Sequence, residues 1–152
     1  MKKEGKYYMY FEDFEIGQEF RVENVKITKE RILSFAADYD PLPIHLDEEY
    51  AKTTGFGGLI APGVMSFMLV WAEYVRLNIW GEALVAGKRT DITWHCPVYA
   101  GDVLRSVATI SDKRKKNTTG TLEVTVHVYN QNDQLVISDV SELVLKCRHK
   151  NE

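Results

Sequence analysis

The second half of the chain alternates apolar and polar side chains with a period of two. This alternation is typical of strands that bury one face, because successive side chains point to opposite faces of a sheet. Turn-forming residues at positions 117–120 and 130–133 separate these runs, so the strands are predicted to pair as antiparallel hairpins. The predicted strands cover residues 92–96, 103–111, 122–129 and 135–146.

The first half contains shorter segments. Residues 18–27 are predicted to form an opening strand. Thr28 is a suitable N-cap for a helix whose apolar residues recur at helical spacing. This helix must end before Pro41, because proline disfavours helical geometry in the residue that precedes it. Asp47 can cap a second, short helix that carries two glutamates in its first turn, where acidic groups are favoured.

The most strongly apolar helix is predicted to begin at Pro62, because proline suits the first helical turn. Its apolar residues recur at the i, i+3, i+4, i+7 spacing and fill much of the remaining circumference, so the helix is buried. The residues at that spacing are Val64, Phe67, Met68, Trp71, Ala72 and Val75. A buried helix also fits an all-α bundle, but the strands argue against that class. We therefore predict an α+β fold in which a long antiparallel β-sheet wraps around one central α-helix.

Composition narrows the class of protein. The chain has 152 residues, 45% hydrophobic and 27% charged, as in an ordinary globular domain. The net charge of -3 gives no reason to expect nucleic acid or an anionic membrane as a partner, and no apolar run is long enough to cross a bilayer. The N-terminus lacks the apolar segment of a secretory signal, and the two cysteines, Cys96 and Cys147, form no disulfide framework. We expect a single soluble domain of the reducing cytoplasm.

The densest group of unusual residues is the segment DYDPLPIHLD at positions 38–47. Its prolines stiffen the loop, so Asp40 and His45 are predicted to lie on a fixed turn rather than on regular structure. A carboxylate and an imidazole on one rigid loop can hold a water molecule, remove one proton from it and deliver another to a substrate. A purely structural interpretation stays open, in which Asp40 caps a turn and His45 is a partly buried histidine.

A glycine-rich segment, TGFGGLIAPG at positions 54–63, precedes the predicted central helix. It does not fit a dinucleotide-binding loop, because no strand precedes it and no acidic residue follows at the required distance. The start of the helix offers a different chemistry, because the free N–H groups of Gly63 and Val64 can polarise a carbonyl oxygen. Gly63 has no side chain that would shield its amide.

The remaining histidines do not indicate a metal site. His95 and His127 alternate with apolar residues in predicted strands, so we expect a structural role for both. No set of histidine, cysteine and carboxylate residues has a convincing zinc spacing. We therefore expect no bound metal.

Four blocks of sequence, in this order, resemble the MaoC-like dehydratase family, the (R)-specific enoyl-CoA hydratases with a hotdog fold. FEDFEIGQ at 11–18 resembles the approach to the family's first strand, and the segment at 40–47 resembles the hydratase motif, in which an aspartate precedes a histidine by five positions with a proline between them. IAPG at 60–63 resembles the start of the central helix, and HCPVYAGD at 95–102 resembles the family's Pro-Val-x-x-Gly-Asp turn. The resemblance implies one MaoC-like hotdog domain over residues 9–148.

The resemblance also implies a reaction. Asp40 and His45 would be the catalytic pair that binds the water added across a trans-2-enoyl thioester, and Gly63, with Val64 beside it, would hold the thioester carbonyl. Pro62 and Ser66 are expected to support this site, Ser66 through a hydrogen bond near the catalytic carboxylate or, alternatively, to the helix backbone. The implied enzyme is a hydro-lyase that converts a trans-2-enoyl-CoA reversibly to an (R)-3-hydroxyacyl-CoA. Coenzyme A would be part of the substrate, and no separate cofactor is expected.

The resemblance also bears on how the chain assembles, and a departure from the family motif leaves other functions open. The resemblance implies a homodimer and leaves a higher assembly of dimers open, because hotdog domains pair their sheets and place the acyl tunnel at the subunit boundary. The sequence departs from the motif at Leu42, where the common form has an asparagine that helps to orient the loop. Two other functions stay open, namely thioester hydrolysis at the same amide site and non-catalytic acyl-CoA binding, which the Leu42 replacement motivates.

Overall fold

An antiparallel sheet forms the largest part of the fold in the computed structural model, which describes residues 9–149. Its strands are β1 (Glu19–Arg21), β2 (Val25–Lys26), β3 (Leu84–Trp94), β4 (Val103–Lys116), β5 (Thr119–Tyr129) and β6 (Leu135–Lys146). They lie in the order β1, β4, β5, β6, β3, and β2 also pairs with β4. All of these pairings are antiparallel, as the hairpin turns predict.

The centre of the sheet follows the alternating pattern closely. Leu122, Val124, Val126 and Val128 of β5 are fully buried, and the residues between them are half-buried. Because β5 lies between β4 and β6, its backbone is hydrogen-bonded on both sides. The predicted strands at 103–111, 122–129 and 135–146 are therefore confirmed, and β4 continues beyond its predicted end to Lys116.

The edge strand β3 is longer than predicted. It begins at Leu84, before the predicted start at residue 92, and it ends at Trp94. Its middle, with the sequence GKRTD, has no apolar alternation, and nearly every side chain in the strand is exposed. Within residues 9–149, β3 pairs with β6 alone, so sheet pairing defines this strand where hydrophobic burial does not.

Four α-helices connect the first strands to β3. They are α1 (Lys29–Tyr39), α2 (Pro43–Leu46), α3 (Glu48–Thr53) and α4 (Gly63–Arg76), and 3-10 turns lie at Phe11–Asp13 and Gly81–Ala83. Both predicted caps are confirmed, because the Thr28 hydroxyl accepts a hydrogen bond from the amide of Arg31 and the Asp47 carboxylate accepts one from the amide of Tyr50. The first helix ends at Tyr39, before Pro41 as expected.

The single opening strand predicted over residues 18–27 is wrong. The segment forms two short strands with an unpaired stretch between them. From Arg21 to Val25 the chain advances four positions, while the partner strand advances three positions from Val107 to Leu104. One extra residue cannot be accommodated in a regular ladder, so the strand is interrupted in the manner of a β-bulge.

The segment that carries His45 is also more regular than predicted. Residues 43–46 form the one-turn helix α2, with Pro43 at its first position. The fixed φ angle of proline is already helical, and its missing N–H costs nothing at a helix start. Asp40 lies outside regular structure, as expected, directly after the last residue of α1.

The long helix α4 packs against the sheet through a shared core. Phe67, Val70 and Tyr74 are buried together with the inward side chains of the strands, and the Tyr74 hydroxyl lies 2.9 Å from the hydroxyl of Ser106 on β4.

The helix begins at Gly63, and Pro62 is its extended N-cap rather than a helical residue. The predicted α+β hotdog architecture is confirmed. None of the helices within residues 9–149 is long and apolar enough to span a bilayer.

Candidate functional site

A cavity of about 430 Å³ opens at the N-terminal end of α4. Two walls enclose it. The loop wall comes from residues 40–61, the strand wall from residues 94–98, and the first residues of α4 lie between them. The lining residues are Asp40, His45, Phe56, Ile60, Ala61, Gly63, Val64, Trp94, His95, Cys96, Pro97 and Val98.

Asp40 and His45 face each other in the loop wall. The Nε2 atom of His45 lies 3.3 Å from Oδ2 of Asp40. The histidine side chain is 6% exposed and the aspartate side chain 40% exposed, so the carboxylate lies on the solvent side of a buried imidazole. The structure therefore brings together the two residues that the sequence singles out.

The tautomer of His45 follows from its second contact. Nδ1 lies 2.7 Å from the carbonyl oxygen of Ile60. A carbonyl oxygen can only accept, so Nδ1 carries a proton and donates it. The other ring nitrogen, Nε2, is therefore the one that faces Asp40. Both residues line the cavity, so this carboxylate and this imidazole border the same space.

Backbone hydrogen bonds hold this loop in place. The amide of Asp40 donates to the carbonyl of Ala36 at 2.9 Å, and the amide of Leu42 donates to the carbonyl of Asp40 at 2.7 Å. The carbonyl of Leu42 accepts from the amide of His45 at 2.9 Å. The Leu42 side chain is 49% exposed and forms no cap, so the main chain shapes this turn without a polar side chain at position 42.

The start of α4 presents free amide groups to the cavity. Its first backbone bond runs from the amide of Ser66 to the carbonyl of Pro62 at 3.2 Å. The amides of Gly63 and Val64, in the first turn of the helix, have no acceptor within the helix. The amide of Ala61 donates to the carbonyl of Val98 at 2.8 Å, which ties the approach to the helix to the strand wall.

The two expected supporting residues, Pro62 and Ser66, differ in what they contact. Pro62 supports the helix start through its carbonyl group. Ser66 is fully buried, but among the residues described its hydroxyl group bonds neither the Asp40 carboxylate nor the helix backbone. Burial in the helix core removes Ser66 from the cavity surface, and it is absent from the cavity lining.

The strand wall contributes residues that the sequence did not assign to the site. Trp94 lies within the strand predicted over residues 92–96, and its side chain is half exposed and lines the cavity. His95 is exposed, its Nε2 is hydrogen-bonded to the hydroxyl of Ser138, and its amide donates to the carbonyl of Val136. No local signal in the sequence marks either residue for the site, because their position at the end of an edge strand follows from long-range sheet pairing.

A buried carboxylate lies on β6, where Asp139 pairs with Ile92 of β3. Asp139 is fully buried and accepts a hydrogen bond from the Ser141 hydroxyl at 2.7 Å. Burial raises the pKa of Asp139 to about 6, and this hydrogen bond, which favours the charged form, offsets only part of the shift. Asp139 is not part of the cavity lining, so a substrate in the cavity does not contact it.

From Met9 to His149, no three His, Cys, Asp or Glu side chains are grouped so that they could hold a metal ion.

Comparison with known proteins identifies the class of protein to which this fold and site belong. Residues 15–139 match the family described as "FAS1-like, dehydratase domain region". The chain therefore belongs to this family of MaoC-like hotdog dehydratases.

Individual proteins are similar to this chain over most of its length. The chain is 31% identical over 140 residues to the uncharacterized protein YdeM of Bacillus subtilis, covering 91% of this chain and 99% of that protein. The structure of a MaoC-like dehydratase from Rhodospirillum rubrum superposes with a TM-score of 0.81 at 26% identity, over 93% of this chain and 99% of the other. The (R)-hydratase PhaJ1 from Pseudomonas aeruginosa superposes with a TM-score of 0.77 at 26% identity, over 94% and 92% of the two chains.

Proposed function

We propose that this protein is a hydratase that adds water to a trans-2-enoyl-CoA and forms an (R)-3-hydroxyacyl-CoA. The observation that carries the proposal is the 3.3 Å approach of Asp40 and His45 in the cavity where the amides of α4 begin. The likeness to an (R)-hydratase and a MaoC-like dehydratase supports the same reaction class.

The proposed mechanism uses both walls and the helix start. The water molecule is held between Asp40 and Nε2 of His45, which together remove one of its protons as the oxygen bonds to C3 of the enoyl group. The C2–C3 double bond opens, and charge develops on the thioester oxygen, where the amides of Gly63 and Val64 stabilise it. The pair then returns a proton to C2. Because the two groups interact directly, the acid and base functions belong to the pair.

An apolar groove between α4 and β3 gives the acyl chain a place to bind. The groove measures about 620 Å³ and shares Val64 with the cavity, so the two spaces adjoin at the thioester position. Its apolar lining includes Phe67, Met68, Trp71, Val75, Leu84, Ile92 and Leu143. Burial of an alkyl chain against these side chains is favourable, at roughly 0.8 kcal/mol per methylene group.

A second copy of the chain is the proposed cover of this groove. Val64, Met68 and Val75 of α4 and Val85 of β3 are each about half exposed. The free edge of β3 adds unpaired backbone groups beside them, and such an edge invites pairing with another strand. We expect two chains to pair through β3, so that each closes the acyl groove of the other. A Val85→Lys variant should be monomeric by light scattering, whereas Ile16→Lys, a charge at another exposed apolar position, should stay dimeric.

Product analysis tests the proposed reaction. The purified protein is incubated with trans-2-enoyl-CoA substrates of increasing chain length, and the products are resolved on a chiral column while free thiol is measured in parallel. The proposal predicts (R)-3-hydroxyacyl-CoA without thiol release. Thiol release without loss of the double bond would instead identify a thioesterase.

A further inference from the structure

Trp94 occupies a position in the cavity that its sequence pattern does not explain. It is the last residue of β3 and pairs with Ile137 of β6. Its side chain is 50% exposed and lines the same cavity as Asp40 and His45. A large aromatic residue that is left half exposed at this position covers the start of α4 instead of filling the core.

The contact between Trp94 and Gly63 defines the orientation of the indole ring. A Cβ atom built on Gly63 would lie 2.4 Å from Nε1, 2.5 Å from Cε2 and 2.8 Å from Cδ1 of Trp94. These three similar distances place that position above the face of the five-membered ring, because a point beyond Nε1 in the ring plane would be clearly farther from both carbons. The indole face therefore packs on Gly63, with Nε1 within about 4 Å of its Cα atom, given a C–C bond of about 1.5 Å.

This orientation leaves the indole N–H available. The N–H bond lies in the ring plane, and Gly63 touches the ring face, so the glycine does not block the donor. No residue in the described part of the chain accepts a hydrogen bond from Nε1. The indole nitrogen is a donor only, so a ligand or water must satisfy it.

The other side chains of the cavity offer no comparable donor. Nδ1 of His45 donates to Ile60, and Nε2 of His95 is bonded to Ser138. The thiol of Cys96, which also lines the cavity, is only a weak donor. Trp94 is thus the side chain that combines an unused donor with direct contact to the helix start.

We propose that the indole N–H of Trp94 donates a hydrogen bond to the thioester carbonyl oxygen, beside the amide of Gly63. This inference rests on the proposed hydratase function. One donor comes from the helix and the other from the strand wall, so the oxygen is held from two elements that are fixed independently. Both hydrogen bonds strengthen as negative charge develops on the oxygen during addition of water. Trp94 is then a catalytic residue, because it touches the group on which charge accumulates.

The test removes the N–H group and keeps the ring. In one variant Trp94 is replaced by benzothienylalanine, whose bicyclic ring has sulfur in place of the N–H group, and Trp94→Phe is made beside it. The expected result for both is a fall in kcat of about 10- to 100-fold with KM changed by less than about 3-fold, because the donor acts mainly in the transition state. Unchanged thermal unfolding separates this effect from a loss of folding.

A spectroscopic measurement follows the carbonyl group directly. An enoyl-CoA is bound to an Asp40→Asn variant, in which turnover is blocked, and its C=O stretching band is recorded by infrared difference spectroscopy with either Trp or benzothienylalanine at position 94. A hydrogen bond to the oxygen lowers the stretching frequency, so the band should shift less when the N–H group is missing.

The outcomes separate this inference from the proposed function. If the wild type hydrates enoyl-CoA and the benzothienylalanine variant retains its kcat, or loses only affinity, the role of Trp94 is refuted and the hydratase stands. If the wild type is inactive but binds enoyl-CoA, the hydratase is refuted, and an identical carbonyl band in both proteins would refute the Trp94 contact too. If no enoyl-CoA binds, both are refuted together.

Discussion

The two walls of the cavity each present a histidine, but the two histidines have different surroundings. His45 in the loop wall is buried, its Nδ1 is fixed to the carbonyl of Ile60, and its Nε2 faces a carboxylate. His95 in the strand wall is exposed, and its bonded ring nitrogen contacts a neutral hydroxyl group. In the proposed mechanism these neighbours suit His45 to acid–base chemistry, and His95 lacks them.

Two carboxylates, Asp40 and Asp139, also differ in their surroundings. Asp40 is partly exposed and borders the cavity, whereas Asp139 is fully buried on β6 and does not line the cavity. Burial raises the pKa of Asp139 to about 6. A perturbed pKa is a useful guide to functional sites only for a group that a substrate can reach.

The largest expected effect comes from breaking the pair in the loop wall. Asp40→Asn and His45→Gln should each lower the rate of hydration by about 10²- to 10⁴-fold, the usual contribution of general acid–base catalysis. Because the two residues act as a unit, the double variant should be about as slow as the slower single variant. Rates are measured with crotonyl-CoA, and circular dichroism monitors folding. Additive losses would show that the residues act independently.

The second-largest effect is expected from adding a side chain at Gly63, where the Trp94 ring packs on the start of α4. A Cβ atom at position 63 would lie 2.4 Å from the Trp94 ring, so Gly63→Ala must displace the indole or the helix. We expect a loss of about 100-fold in kcat/KM, as for the removal of one donor to an oxyanion. Gly58→Ala is the matched control, because its Cβ atom would lie 3.7 Å from the Tyr99 ring, which is ordinary contact. Equal behaviour of the two variants would contradict the packing argument.

A stability measurement tests the effect of burial on Asp139. The pKa of Asp139 is raised to about 6 from an ordinary value of 3.8, so the folded state holds its proton more tightly than the unfolded state. Its contribution to stability is therefore lost as the pH rises from about 4 through 6. Asp139→Asn should increase the free energy of unfolding by roughly 2 to 3 kcal/mol at pH 8, with little change at pH 4. The measurement is urea unfolding at both pH values, and a pH-independent difference would contradict this account.

The smallest effect is expected at the second histidine. His95→Gln keeps a hydrogen-bonding group beside Ser138 and should change the rate of hydration by less than about 3-fold, since no proton transfer is assigned to it. The same assay with crotonyl-CoA measures it. A loss comparable to that of His45→Gln would place acid–base chemistry in the strand wall and overturn the comparison of the two walls.

Prediction from the sequence is most accurate where residues that are close together in the chain determine the local structure. The buried face of β5 and the caps at Thr28 and Asp47 depend on local periodicity and local hydrogen bonds, and all are confirmed. The opening strand was wrong because a single extra residue opposite β4 interrupts it, and no local signal marks that register. The start of β3 was missed because this edge strand carries polar residues on both faces, so its apolar and polar side chains do not alternate.

The residues of the candidate site also differ in how well the sequence predicts them. Asp40, His45 and Gly63 could be selected because prolines and a helix start fix their surroundings within a few residues. Trp94 could not, because its approach to Gly63 depends on how β3 lies against α4, and these residues are far apart in the sequence. Ser66 was expected to bond near the Asp40 carboxylate or to the helix backbone, but its burial in the helix core depends on packing that spacing alone does not determine.

The most direct test of the central claim is the initial rate at which the protein consumes the conjugated enoyl thioester of crotonyl-CoA, with Asp40→Asn measured beside the wild type. We predict rapid loss of the enoyl absorbance with the wild type and a rate at least about 100-fold lower with the folded variant. Equal rates in the two proteins, or no hydration of any enoyl-CoA by the wild type, would contradict the assignment of the loop wall as the catalytic centre.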